Sequence, residues 1–175
     1  AKKDSTGICF IGERKFSDFL SRFLTAEPGP MRSPEGELIG EHHGLIHYTL
    51  GQRKGLGIGG RSDSDEIPWF VVDKELENNV LVVAQGHDHP LLLKQGLTAS
   101  QLHWISGNAP PDIPFSCRSR IRHRQPLQPC RIISIQDGQC QVEFENKQRA
   151  VTPGQSIVFY SDDICLGGGI IDKAY

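Results

Sequence analysis

The clearest structural signal in this sequence is the stretch Cys130-Arg-Ile-Ile-Ser-Ile-Gln-Asp-Gly-Gln-Cys-Gln-Val-Glu-Phe144. At its centre, Asp137-Gly138 separates two runs that contain many β-branched and other apolar residues. An Asp-Gly pair favours a type I′ turn, because both of its residues tolerate the positive φ that this turn requires. The stretch therefore predicts a β-hairpin that joins Cys130–Gln136 to Gln139–Phe144.

Further short strands are predicted on both sides of this hairpin. Downstream, the Pro153-Gly154 turn precedes a strand at Ser156–Tyr160. A last strand at Ile164–Ile171 contains Gly167-Gly-Gly169, and glycines within a strand indicate a bend or a close backbone approach. Upstream, the predicted strands are Leu97–Ile105 and Phe115–Gln125, joined by the proline-containing loop Gly107–Asp112. Six short strands with no helix between them favour a closed barrel, because closure removes exposed strand edges.

The first half of the chain is predicted to contain one short helix followed by strands. Five apolar residues recur with helical spacing on one face: Phe16, Phe19, Leu20, Phe23 and Leu24. The segment Pro28-Gly29-Pro30 ends this helix. Strands are predicted at Glu37–Glu41, Pro68–Lys74 and Val80–Gln85, and the last two form a hairpin.

A boundary near Pro90–Gly96 separates these elements from the predicted barrel. The fold class is therefore mainly β, with two small β-rich domains and one short amphipathic helix near the N-terminus. The first of the two domains comprises residues 18–95. The second, residues 96–175, is the six-stranded β-barrel.

The composition limits the class of protein. No apolar run approaches the roughly 20 residues of a membrane-spanning helix. The five cysteines lack paired C-x-x-C spacing, which argues against a zinc ribbon or a disulfide framework and favours a reducing cytoplasm. The net charge of -2 argues against a general nucleic-acid binder. Any contact with RNA therefore needs a local cationic patch.

One candidate patch lies in Phe115–Gln125, where four arginines alternate with other residues: Arg118, Arg120, Arg122 and Arg124. On a regular strand they would lie on one face, about 6.6 Å apart. No acidic residue lies between Asp112 and Asp137 to neutralise them. The pattern fits either a solvated barrel face or an RNA-binding surface.

A second candidate site is Cys9, which lies between Gly7 and Gly12 and has basic residues on both sides, Lys2 and Lys3 before it and Arg14 and Lys15 after it. Neighbouring cations lower the pKa of a thiol and so favour the reactive thiolate. The residues alone fit either such a reactive cysteine or a buried one that packs as a small apolar side chain.

Asp4-Ser-Thr-Gly-Ile-Cys-Phe-Ile-Gly12 closely resembles the second-cysteine motif of the tRNA-specific 2-thiouridylases. These enzymes place sulfur on C2 of the wobble uridine of certain tRNAs. The resemblance continues, in the family's order, through His47-Tyr-Thr-Leu-Gly-Gln-Arg-Lys-Gly-Leu-Gly-Ile-Gly-Gly60, Val82-Val-Ala-Gln-Gly-His87, Leu102-His-Trp104, Val151-Thr-Pro-Gly-Gln-Ser156 and Cys165-Leu-Gly-Gly-Gly-Ile-Ile171. The family's ATP-pyrophosphatase domain, with its Ser-Gly-Gly-x-Asp-Ser phosphate loop and another catalytic cysteine, has no counterpart here. The sequence therefore resembles the C-terminal portion of such an enzyme.

The resemblance implies roles for particular residues. In the family, the cysteine that matches Cys9 carries the transferable sulfur as a persulfide, which makes residues 1–17 the tail of the catalytic domain. The family's tRNA contacts match Arg122, His123 and Gln155. The other arginines of the alternating pattern extend this set: Arg118, Arg120 and Arg124. Adjacent residues of a regular strand point to opposite faces, so joint contact by Arg122 and His123 requires a strand end or a bulge.

The resemblance also implies partners and cofactors. ATP with Mg²⁺ would be bound by the missing N-terminal domain, so this chain alone is expected to bind no ATP and to be inactive. A sulfur-carrier protein would deliver the persulfide sulfur. The enzyme would be a cytoplasmic monomer that binds tRNA. Its barrel would resemble the second domain of tRNA-carrying elongation factors. The alternatives are a non-catalytic RNA-binding β-barrel module and a thiol redox protein. The redox interpretation is disfavoured because Cys9 has no resolving cysteine nearby in sequence.

Other patterns are interpreted as structural. Gly55-x-Gly57-x-x-Gly60 has dinucleotide-binding spacing, but a polar loop follows it instead of the helix that such a site needs. Arg53 and Lys54 beside it fit a solvated loop better than a phosphate contact. Two histidine pairs have metal-ligand spacing but no third ligand nearby, which favours solvated loops and no metal site: His43 with His47, and His87 with His89. The remaining cysteines are predicted to be core thiols: Cys117, Cys130, Cys140 and Cys165.

Overall fold

The computed structural model of the chain describes residues 26–58 and 67–175. Cys9 and the predicted helix at Phe16–Leu24 lie outside the described residues. The described part contains ten strands: β1 Gly29–Arg32, β2 Leu38–His42, β3 Trp69–Glu75, β4 Val80–Gln85, β5 Leu93–Trp104, β6 Phe115–Arg120, β7 Gln128–Gln136, β8 Gln139–Arg149, β9 Ser156–Ser161 and β10 Ile164–Ala174. Its helical segments are two single 3-10 turns, Leu45–His47 and Pro90–Leu92. Neither could cross a membrane, and no longer apolar helix occurs in the described ranges.

The first four strands form a sheet in the order β2-β1-β4-β3. β3 and β4 make the predicted antiparallel hairpin, whereas β1 runs antiparallel to β2 and parallel to β4. Both faces of β4 are covered, because Leu81 and Val83 pack in one apolar cluster and Val80, Val82 and Ala84 pack in another. Alternate strand residues face opposite sides. The double coverage therefore explains why this strand is apolar at consecutive positions.

Strand β1 was not predicted from the sequence. Gly29 and Pro30 are poor strand residues and indicate the end of a helix, yet the structure places both in β1. Tertiary contacts outweigh the local preference. Met31 is almost completely buried in the sheet core. Gly29 lies so close to its neighbours that a Cβ there would come within 2.8 Å of the His42 Nε2.

The remaining strands close into a six-stranded barrel in the order β10-β5-β8-β7-β6-β9, as predicted. The hairpin β7–β8 is paired up to Gln136 and Gln139. At its turn, Asp137 has a φ of 50° and Gly138 a φ of 76°. Both values are positive, as a type I′ turn requires. The structure thus confirms the mainly β fold and the closed barrel.

The barrel has a hydrophobic core of its own. Ile132, Val142 and Ile157 are fully buried within it, together with Phe159. The ring of Phe159 stacks on that of Trp104 with 5.7 Å between the centroids, which links β9 to β5 across the interior. Burial of each such side chain contributes about 1.5–3 kcal/mol. The packed core of the barrel therefore holds the loops at its ends in defined positions.

A third apolar cluster joins the sheet to the barrel. Phe70 and Val82 from the sheet pack in it with Leu92, Ala150 and the partly buried Leu50. The backbone N–H of Ala150 donates to the Leu92 carbonyl oxygen at 2.7 Å. We refer to this contact region between the sheet and the barrel, defined by these five residues, as the seam. The seam brings loops of the sheet against loops of the barrel.

Candidate nucleic-acid interface

Strand β6 ends at Arg120 and does not continue to Gln125 as predicted. Residues 121–125 form a turn instead, in which the Gln125 N–H donates to the Arg122 carbonyl oxygen at 3.1 Å. The Gln125 side chain closes the turn by accepting the Ile121 N–H at 3.0 Å. Pro126 follows directly and has no N–H with which to extend a strand pairing. The prediction of four arginines on one strand face is therefore wrong.

We call residues 121–125 the basic turn. Arg122, His123 and Arg124 are all exposed on it. Because residues in a turn do not alternate between two faces, adjacent side chains can reach the same ligand. The basic turn is therefore the strand end that joint RNA contact by Arg122 and His123 requires.

Arg118 and Arg120 remain on β6, and both have local partners. An Nη2 nitrogen of Arg118 donates to the Asp162 carbonyl oxygen at 2.7 Å and lies 4.0 Å from the carboxylate of the same residue. The guanidinium of Arg120 lies 5.8 Å from the centre of the Tyr160 ring. Asp162 thus supplies an acidic neighbour that the local sequence around Arg118 does not show. These two arginines are less available to a ligand than the basic turn.

Arg122 bridges the barrel and the sheet. Its Nη2 donates to the carbonyl oxygen of Leu50, in the sheet half, at 3.3 Å and to that of Ala150, in the barrel, at 3.2 Å. A guanidinium carries five N–H donors in a fork. One nitrogen makes both of these bonds, and the side chain is otherwise exposed. Arg122 can therefore hold the seam and still present donors to an anion.

The loop that carries Gln155 adjoins the basic turn. The Ala150 carbonyl oxygen that accepts from Arg122 also accepts from the Thr152 hydroxyl at 3.0 Å. The Gln155 N–H in turn donates to the Thr152 carbonyl oxygen at 3.2 Å. Gln155 is exposed. The structure thus brings the Arg122–His123 pair and the Gln155 loop, which are distant in sequence, to one end of the barrel.

Arg149 is a residue of this region that sequence reasoning missed. Its Nε donates to the His87 carbonyl oxygen at 2.7 Å, and its guanidinium lies 5.0 Å from the centre of the Phe70 ring. Burial lowers the pKa of Arg149, the positive charge of Arg122 lowers it further, and Asp88 opposes both effects. Its Nη2 is buried without a hydrogen-bond partner in the described residues. Arg149 thus fastens the barrel to the sheet at a second point.

The histidines do not form a metal site in the described part of the chain. The His87 Nδ1 pairs with the Asp88 carboxylate at 2.7 Å on the surface. His42 is buried instead, and its ring bonds to the Asn79 carbonyl oxygen at 3.0 Å and accepts the Gly44 N–H at 3.0 Å. Among the described residues, no three side chains of ligand type gather around a common point.

The barrel thiols are sheltered, and two of them touch. Cys117 on β6 faces Cys130 on β7, with 3.6 Å between the sulfurs. The hydrogen bond between the two thiols raises the pKa of Cys117 and lowers that of Cys130, which is 4% exposed. Burial raises the pKa of Cys140 to about 11. Cys117 and Cys165 are only half-buried, so the prediction of core thiols holds best for Cys130 and Cys140.

We expect alkylation of the native chain at pH 8 to modify Cys9 first and Cys140 very slowly. A thiol with a pKa of about 11 is roughly a hundredfold less ionised at this pH than one at its usual value near 9. Because the folded-state pKa is raised, the protection of Cys140 should weaken as the pH rises towards 11. Peptide mapping of the alkylated chain measures this, and unfolding in urea should abolish the difference. Preferential labelling of Cys117 or Cys140 in the native chain would contradict it.

Comparison with known proteins places this geometry in a family. A family model described as aminomethyltransferase beta-barrel domain matches residues 94–171, and one described as tRNA methyl transferase PRC-barrel domain matches residues 17–85. A curated relative from Idiomarina loihiensis, named tRNA-specific 2-thiouridylase MnmA, is 62% identical over 98% of this chain and 46% of its own length. Relatives of the same name from Methylococcus capsulatus and Serratia proteamaculans are 60% and 59% identical over 100% and 98% of this chain, and each is covered over 47% of its length.

The chain belongs to the tRNA-specific 2-thiouridylase family. This confirms the resemblance seen in the sequence motifs. The chain spans about half the length of the curated relatives it matches, and it corresponds to their C-terminal part. The division between the two family models also coincides with the change from the four-stranded sheet to the barrel at β5.

Proposed function

We propose that this chain supplies the persulfide cysteine and part of the tRNA grip of an enzyme that thiolates C2 of the wobble uridine. The observation that carries the tRNA-binding part is the exposed basic turn, in which Arg122 and His123 lie beside the Gln155 loop at the seam. Guanidinium groups suit phosphate, and imidazole and amide side chains suit hydrogen bonding or stacking with nucleotides. The name shared by the curated relatives supports tRNA as the nucleic acid.

The proposed chemistry begins with activation of the uridine, because its C2 oxygen is a poor leaving group. ATP, bound with Mg²⁺ by a domain outside this chain, would transfer AMP to that oxygen and release pyrophosphate. The terminal sulfur of a persulfide on Cys9 would then form a bond to C2 as AMP leaves. A thiolate of a second cysteine, also outside this chain, would attack the Cys9 sulfur, which leaves sulfur on C2 and a disulfide between the two cysteines.

Several further parts of the proposal concern the chain in its cellular setting. A sulfur-carrier protein would renew the persulfide after the disulfide is reduced, and the enzyme would work as a monomer in the cytoplasm. By itself, the chain would act as a non-catalytic RNA-binding module, because both the ATP site and the second cysteine belong to the other domain. This division of labour requires that the chain alone binds tRNA but does not thiolate it.

The tRNA grip is tested by replacing Arg122 with alanine in the full-length protein that contains this chain. If Arg122 neutralises one phosphate, tRNA affinity should fall, and the slope of log affinity against log salt should decrease in magnitude by about 0.7–0.9. Affinity measured across a salt series gives both quantities. Arg122→Lys should keep the slope, because it keeps the charge, although it loses the Nη2 nitrogen that donates to the Leu50 and Ala150 carbonyl oxygens.

The matched control is Arg131→Ala, which removes an exposed arginine on β7, outside the basic turn. It should leave both affinity and slope unchanged. His123→Ala and Gln155→Ala should lower the affinity with little effect on the slope, because imidazole and amide side chains contact nucleotides by hydrogen bonding or stacking. If the Arg122 and Arg131 variants have the same tRNA affinity and salt slope, the residues that bind tRNA must instead lie in the other domain.

A further inference from the structure

The loop after Leu50 lies directly beside the basic turn. The Leu50 carbonyl oxygen accepts from Arg122 at 3.3 Å. The next residue, Gly51, has a φ of 79°, and a Cβ there would lie 2.9 Å from both the Ala150 Cβ and the Arg149 Nη1. Positive φ and this close approach both require glycine. The start of the loop is therefore packed against the barrel with no space between them.

The loop is also held firmly to its own sheet. The Gly51 N–H donates to the Val71 carbonyl oxygen at 2.8 Å, and the Val71 N–H donates to the Gln52 carbonyl oxygen at 3.0 Å. The Gln52 side chain accepts the Thr49 N–H at 3.0 Å and donates to the Lys54 carbonyl oxygen at 2.9 Å. These bonds fix the path of the backbone from residue 49 to residue 54. The loop can therefore present its side chains in a defined position.

Two cations follow on this ordered backbone. Arg53 and Lys54 are exposed, and neither forms an ion pair with an acidic side chain in the described ranges. Three residues span at most about 10 Å, so the Arg53 backbone lies within that distance of Leu50, whose carbonyl Arg122 bonds. The seam therefore places two charges of the sheet, which have no acidic partner among the described residues, next to the charges of the basic turn.

We propose that the tRNA-binding surface crosses the seam, and that Arg53 and Lys54 bind the tRNA backbone next to the phosphate held by Arg122. This inference rests on the proposed function and extends it to the four-stranded sheet. It assigns the loop that precedes the glycines at 55 and 57 to phosphate binding, where sequence reasoning favours a solvated loop. The reason for the change is tertiary, because only the fold brings this loop to the basic turn.

A polyanionic strand fits these cations better than a single small anion. The charges lie on two separate loops that are fixed relative to each other, and they are spread along the surface instead of converging on one point. A nucleic-acid backbone carries regularly repeated negative charge, and each lysine or arginine that neutralises a phosphate contributes separately to the salt dependence. Phosphate contacts of this kind position the RNA and do not read its sequence.

The test compares Arg53→Ala, Lys54→Ala and the double variant in the full-length protein, with tRNA affinity measured across a salt series. Each single change should decrease the magnitude of the salt slope by about 0.7–0.9, and the double change by about 1.4–1.8. Both side chains are exposed, and the hydrogen bond at residue 54 uses the backbone, so the variants should fold normally. Arg131→Ala again serves as the control, with an unchanged slope.

The outcomes separate this inference from the proposed function. If Arg122→Ala reduces the slope while the Arg53 and Lys54 variants behave like Arg131→Ala, the surface ends at the seam and the inference is overturned. If the Arg122 variant also behaves like the control, the tRNA grip of the barrel fails as well. A smaller salt slope in the Arg122, Arg53 and Lys54 variants, with an unchanged slope in the Arg131 variant, supports a surface that spans the sheet and the barrel.

Discussion

A Cys9→Ser variant of the full-length protein is expected to lose thiolation by a factor on the order of 10³ or more, as removal of a catalytic nucleophile generally does. A persulfide requires a sulfur–sulfur bond, which a serine oxygen cannot form. The later disulfide with a second cysteine would also be impossible. The affinity for tRNA should be nearly unchanged, because the basic turn and the Gln155 loop are untouched. The thiolated nucleoside in digested tRNA and the binding of unmodified tRNA measure the two effects.

Cys165→Ser is the matched control for this variant. Cys165 is a half-buried thiol on β10, and serine has a similar size. Thiolation should persist in this variant, and mass spectrometry should locate the added sulfur on the peptide that contains Cys9. A Cys9→Ser protein that still thiolates tRNA would remove Cys9 from the mechanism. Loss of tRNA binding in the same variant would show that the cysteine supports the fold instead.

The parts of the fold that local chemistry determines were predictable from the sequence. The Asp137-Gly138 turn requires two positive φ values, and few other residue pairs provide them as readily. The hairpin β3–β4 and the barrel strands follow from short apolar runs between turn residues. Strand β1 could not be predicted in this way, because Gly29 and Pro30 argue against a strand. Its pairing with β2 and β4 depends on residues far along the chain.

The candidate interface, like strand β1, could not be predicted in full from the local sequence. Period-two spacing predicts four arginines on one face, but the Gln125 side chain caps a turn after Arg120 and changes the direction of Arg122. The role of Arg149 is equally non-local, since its partners are the His87 carbonyl oxygen and the Phe70 ring. No spacing in the sequence encodes these contacts. Family resemblance can indicate candidate RNA-binding residues, but it cannot show that two loops meet at the seam.

The largest effect on stability is expected for Gly167→Ala in β10, which should destabilise the chain by about 2–6 kcal/mol. Gly167 has a φ of 142°, and holding a non-glycine residue in such a conformation costs on the order of 1–3 kcal/mol. An added Cβ would also overlap the His103 carbonyl oxygen and lie 2.9 Å from the Trp104 Cα. Backbone atoms of a paired strand cannot move aside cheaply, and overpacking typically adds about 1–3 kcal/mol. Urea unfolding followed by tryptophan fluorescence measures the loss.

Gly107→Ala separates the two contributions. Gly107 also has a positive φ, 81°, but a Cβ there would meet nothing within 4 Å. This variant should therefore show only the conformational cost, about 1–2 kcal/mol. The difference between the two variants measures how tightly β10 approaches β5 where the barrel closes, because Gly167 pairs with Trp104 on that strand. Equal destabilisation by both changes would mean that the barrel can open at this point to admit a methyl group. The glycines of Gly167-Gly-Gly169 would then be needed only for their backbone conformation and not for the close approach of the two strands.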